Sequence, residues 1–103
     1  TGAGQVLGDC TIPLGADVIG ATLVAIRGFG YKDQELRISR GTRVAWVNCE
    51  PSATEHTVTA DDGSYDSTPL AVSKVYARTF PTAGTFAYHC EPHPFMKGTV
   101  VVQ

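Results

Sequence analysis

The sequence is poor in the residues on which most metal and redox chemistries depend. It has three cysteines, one methionine and three histidines in 103 residues. Three thiols are too few for an iron–sulfur cluster held by cysteines. No two of them stand as Cys-x-x-Cys, which removes a redox dithiol. Charged residues make up only 17% of the chain and the formal net charge is −2, so no basic surface for nucleic acid is implied. No apolar run approaches the roughly 20 residues that a membrane-spanning helix needs, and runs of good helix formers are missing as well. Thr1 stands where an initiator Met would, so a leading segment, a signal peptide or an anchor, is expected to have been removed.

What remains is a chain rich in Val, Thr, Gly and Pro with 43% apolar residues. At 103 residues it is read as one domain, 1–103, with a single core. Residues 1–20 are Gly-rich and form an edge segment with a short strand near Gln5–Leu7. Ala21–Ile26 is an apolar, β-branched run that fits a buried strand. Glu35–Ser39 alternates with Leu36 and Ile38 inward. Arg43–Asn48 alternates with Val44, Trp46 and Asn48 on one face and Arg43, Ala45 and Val47 on the other. The turn Arg40-Gly41-Thr42 between these two strands predicts a hairpin. His56–Ala60, Lys74–Phe80, Thr85–Cys90 and Thr99–Val102 supply further strands, with Gly98 letting the chain reverse into the last. About seven or eight short strands with regular turn signals predict an all-β sandwich.

The chemistry concentrates in Tyr88-His89-Cys90-Glu91-Pro92-His93-Pro94-Phe95-Met96-Lys97-Gly98. Cys90-x-x-His93-x-x-Met96 sets a thiol, an imidazole and a thioether in one short loop. This mixture of soft and borderline donors suits copper moving between Cu(I) and Cu(II). A fourth donor must come from elsewhere, and His56 is the best candidate. Alternation points Cys90 inward with Phe86 and Tyr88, and Pro92 and Pro94 stiffen the loop around His93. Zinc rarely takes a thioether. A Cys90 nucleophile with His56 or His93 as base has no orienting partner in the sequence.

If Cys90 is a ligand, Cys10 and Cys49 are left to pair with each other. That bridge would close a loop of about 40 residues, worth roughly 4 kcal/mol in the chain-entropy view, and would imply an oxidising compartment. Asn48 is expected to hold the Cys49–Glu55 loop by side-chain hydrogen bonds, and Phe29, Trp46 and Phe80 to lie in the core. His89 falls on the face opposite Cys90 and is not expected to be a ligand. Residues 50–66, with Glu50, Glu55, Asp61, Asp62 and Asp66 and no Lys or Arg, read as solvated acidic loops that could steer a basic partner.

Val44-x-Trp46-Val47-Asn48, His56-Thr57-Val58 and the final Tyr88–Gly98 stretch together resemble the plastocyanin/azurin group of cupredoxins over residues 21–103. The short Cys-x-x-His-x-x-Met spacing is most similar to the amicyanins. The resemblance implies a Greek-key β-sandwich with a type 1 copper at one end. His56, Cys90 and His93 would be the strong ligands and Met96 the weak axial one. It also implies a one-electron carrier outside the cytoplasm, in the periplasm or secreted. The chain is expected to be a monomer and not an enzyme, and the apolar surroundings of His93, with Pro94 and Phe95, would suit brief docking of redox partners. Copper delivery or storage without redox turnover is the alternative, and a domain of a larger copper enzyme a third. The sequence departs from the family pattern at Thr57, often Asn, at Glu55, often Pro, and in having Cys10 and Cys49.

Overall fold

The computed structural model describes residues 15, 18–51 and 53–103, together with the backbone of the strands 5–7 and 10–12. Among the described residues ten strands follow one another: β1 (Gln5–Leu7), β2 (Cys10–Ile12), β3 (Thr22–Ile26), β4 (Tyr31–Lys32), β5 (Glu35–Ile38), β6 (Thr42–Asn48), β7 (Thr59–Ala60), β8 (Val75–Phe80), β9 (Gly84–His89) and β10 (Lys97–Val102). Strands β1 and β2 form a two-stranded antiparallel ribbon. The other eight make two four-stranded sheets, in the orders β5-β10-β9-β7 and β4-β3-β6-β8. The all-β expectation holds, and among the described residues no helix is long and apolar enough to cross a membrane.

The expected hairpin between Glu35–Ser39 and Arg43–Asn48 does not form. β5 pairs in parallel with β10 in one sheet. β6 lies in the other, parallel to β3 and antiparallel to β8. The turn itself is there, with Gly41 at a φ of 85°. Its outward N–H groups are claimed by different layers, however: Arg40 N–H donates to Gln103 O at 3.1 Å and Gly41 N–H to Phe80 O at 2.8 Å. The turn therefore carries the chain from one sheet to the other.

β6 is central in its sheet, and this overrides its alternation. Val44 and Trp46 face the interior between the sheets, where they pack with Val24, Tyr88, Val100 and Phe80. Ala45 and Val47, which alternation turns outward, are equally buried, beneath Val18 and Cys49 in a second apolar cluster. The Trp46 indole is satisfied by donating Nε1–H to Tyr88 Oη at 3.1 Å.

Gly98 does not mark a reversal. It sits inside β10 opposite Tyr88, and a Cβ there would lie 2.3 Å from Tyr88 Cζ. Only glycine lets that ring close down on the backbone beside the Cys90–Met96 loop. His56–Ala60 is strand only at Thr59–Ala60, with His56 joined to Leu70 by a lone bridge.

Candidate metal centre

β9 and β10 are antiparallel neighbours, and the stretch Cys90–Met96 is the loop of their hairpin. Cys90 N–H donates to Met96 O at 3.1 Å, which closes the loop, and Met96 N–H donates to His93 O at 2.8 Å, which folds it inward. These two bonds turn a sequence spacing into proximity. His93 Nδ1 comes 3.6 Å from Cys90 Sγ. Cys90 and Met96 are buried, and His93 is half-buried.

His56 arrives from the connection between β6 and β7. Its N–H donates to Leu70 O at 3.3 Å and its carbonyl accepts from Leu70 N–H at 2.8 Å, so the backbone is pinned on both sides. The ring is fully buried, with Nδ1 3.7 Å from Cys90 Sγ. The donor atoms of His56, Cys90 and His93 all lie within 4.8 Å of one another. Nitrogen and sulfur donors bound at about 2.0 and 2.3 Å, arranged trigonally around one ion, stand about 3.7 Å apart. The two sulfur–nitrogen distances match that spacing, so the residues fit a type 1 copper site.

Thr57 joins the two halves of the centre. Its N–H donates to Cys90 Sγ at 3.4 Å, and its Oγ1 accepts the N–H of Glu91 at 2.9 Å. The Thr59 hydroxyl donates to Asp66 Oδ1 at 3.1 Å. In the 2.8 Å contact between the two threonines the donor is therefore Thr57. A hydroxyl at this position thus does the cross-linking work of a polar side chain after the ligand histidine.

Two residues in the centre escaped the sequence reading. Glu50, counted there with the solvated acidic loops, is only 5% exposed. Its Oε2 lies 2.6 Å from His56 Nε2 and accepts Phe29 N–H at 2.9 Å, while Oε1 accepts Gly28 N–H at 3.1 Å. Burial pushes this carboxyl up, but Phe29 N–H, the His56 ring and Gly28 N–H outweigh it and hold it below the usual carboxylate range. Alternation sets Trp46, Asn48 and Glu50 on one face, but β6 ends at Asn48 and Cys49 is buried as well, so alternation alone does not single Glu50 out.

Phe29 is the second. Expected in the core, it is 43% exposed and stands edge-on to both imidazoles, at 5.2 Å from His56 and 4.8 Å from His93 between ring centroids. Phe95 is 71% exposed, 6.5 Å from Phe29 and 6.1 Å from His93. With exposed Pro92 and Pro94, these rings make an apolar rim around the accessible imidazole.

Other expectations are met. Asn48 Nδ2 donates to Thr54 O and Leu70 O, both at 2.8 Å, and its Oδ1 accepts Glu50 N–H at 3.0 Å. His89 turns away from the thiol. Its Nδ1 is 2.6 Å from Asp61 Oδ1 and its Nε2 pairs with Glu91. Cys90 is a buried free thiol. The expected Cys10–Cys49 pairing involves the side chain of Cys10, which lies outside the described residues.

Comparison with known proteins agrees with this geometry. Residues 19–103 match the family described as copper binding proteins, plastocyanin/azurin family. Amicyanin of Paracoccus denitrificans is 37% identical over 89 residues, covering 82% of this chain and 66% of that protein. Plastocyanin of Scenedesmus fuscus is 32% identical over 108 residues, covering 92% of this chain and all of its own, 100%. An oxidized single-residue variant of amicyanin superposes with a TM-score of 0.75 at 33% identity, over 84% of this chain and 85% of that one. The chain belongs to the plastocyanin/azurin family of copper-binding proteins.

Proposed function

We propose that the chain, as one domain over residues 1–103, is a type 1 copper protein that carries single electrons between larger redox partners outside the cytoplasm. His56, Cys90 and His93 are the strong ligands and Met96 the weak axial one. The observation that carries this reading is the pair of imidazole Nδ1 atoms at 3.7 and 3.6 Å from one buried thiol. Copper bound there supplies a one-electron couple between Cu(II) and Cu(I).

The chain's own part is to hold the donors still and to admit an electron at one edge. Cys90 N–H, Met96 N–H and Thr57 N–H fix the loop and the thiol. The fully buried His56 has its backbone locked to Leu70. His93 alone reaches the surface, between Phe29 and Phe95. That rim, with Pro94, suits a small and brief contact with a monomeric carrier's donor and acceptor proteins. The Cys10–Cys49 bridge belongs to the same proposal, since it fits an oxidising compartment and ties down the residue before Glu50.

Adding Cu(II) to the metal-free protein should give an intense blue band that bleaches and returns on reduction and oxidation. Cys90→Ser should lose the band. A colourless protein that takes up and releases Cu(I) readily would instead make it a delivery or storage module. On the same sample, an intact mass two hydrogens below that of the reduced chain checks the bridge.

A further inference from the structure

Glu50 is a buried carboxylate on which three donors converge. Gly28 N–H reaches Oε1, and Phe29 N–H and the His56 ring reach Oε2. A carboxylate only accepts, so His56 carries its proton on Nε2, and the lone pair is left on Nδ1, which faces Cys90 Sγ. The same carboxylate pins the turn before β4. Phe29 holds a φ of 57°, unusual for a side chain of its size, and its N–H bond to Glu50 is what keeps the ring against both imidazoles.

We infer that Glu50 is a positioning residue of the copper centre with two linked tasks. It sets the tautomer of His56, and it latches Phe29 over the two imidazoles. This rests on the copper reading above and deepens it. A buried negative charge hydrogen-bonded to one ligand, in a region of low dielectric, favours the more positive oxidation state of the ion. Glu50 therefore tightens Cu(II) more than Cu(I).

The test compares the protein with Glu50→Gln, which keeps the shape and removes the charge. Cu(II) affinity should fall about ten- to a hundredfold, the range found when such outer partners of metal ligands are altered. Cu(I) affinity should fall less, so the reduction potential rises. An unaltered potential and Cu(II) affinity in a variant that remains blue would overturn the inference. A second measurement needs no variant. In the Cu(I) form of the unaltered protein, NMR should show a slowly exchanging His56 Nε2–H close to the amide protons of Gly28 and Phe29. A His56 ring whose Nε2–H exchanges freely with water would overturn it even if Glu50→Gln failed to fold. An unaltered protein with no blue band would sink the copper reading instead, so the two failures are distinguishable.

Discussion

The two imidazoles of the centre are held in opposite ways. His93 is three residues from Cys90, in a loop that folds on its own backbone bonds, and among the described residues its ring meets Phe29, Phe95 and the neighbouring donors. His56 is 34 residues from Cys90 and fully buried. Every side of it is tied: the backbone to Leu70, the far ring nitrogen to Glu50, the next residue to Glu91. The half that is local in sequence supplies access to the surface. The half that is remote in sequence supplies rigidity, and it needs a network of buried polar groups to do so. Electron transfer asks for both, since a site that hardly moves between oxidation states loses little energy to reorganisation, yet one ligand edge must be reachable.

The comparison breaks most sharply at Asn48. Its amide satisfies the carbonyls of Thr54 and Leu70 and accepts the N–H of Glu50. Truncation leaves the buried Glu50 N–H without its acceptor and takes one of two donors from Leu70 O, the other being His56 N–H, and the donor of the half-buried Thr54 O. Asn48→Ala should therefore cost about 3 kcal/mol or more in stability, measured by denaturant unfolding. It should also loosen the His56 half while leaving the hairpin loop intact. A loss below about 1 kcal/mol would mean that the remote half does not depend on this network.

The same division explains what could be read from the sequence. Cys90, His93 and Met96 are legible because a short loop brings them together whatever the rest of the chain does. Asn48 was legible too, as a polar residue on the inward face of an otherwise apolar strand. Glu50 was not, because its meaning depends on the Arg27–Gly30 turn passing over the end of β6, a tertiary fact. The β5–β6 turn misled for a related reason. Its local sequence is that of a hairpin, but the N–H groups it offers are taken by Gln103 and Phe80 in separate sheets. Period-two alternation likewise assigns Ala45 and Val47 to solvent, and only the cluster around Val18 makes them core.

The hairpin half has its own weak point at Gly98. A methyl group there meets the Tyr88 ring at 2.3 Å, and that ring cannot withdraw without giving up its bond from Trp46 Nε1. Gly98→Ala should destabilise the fold by about 2 kcal/mol, as overpacking of a filled interior does. The sharper expectation is spectral. Because Gly98 lies two residues beyond Met96, the copper band should shift or weaken, whereas Asn48→Ala changes stability first. Equal stability and an unmoved band would show that Tyr88 has room the geometry denies it.

The smallest effect concerns the third imidazole. His89 is next to Cys90 in sequence, but Asp61 and Glu91 occupy its two ring nitrogens at the surface. Those carboxylates, Asp61 first, raise its pKa above the ordinary value. A raised pKa means that the folded state favours the charged ring. The stabilisation is full below the pKa of the unfolded chain and fades as pH rises through the higher folded value. In Asp61→Asn the NMR titration midpoint of His89 should fall, and the stability difference from the unaltered protein, under about 1 kcal/mol for so exposed a pair, should shrink toward alkaline pH. The blue band and the potential should hardly move, since neither His89 nitrogen faces the thiol. A strong spectral change would mean that His89 is coupled to the centre after all, and the contrast between two engaged imidazoles and one bystander would have to be redrawn.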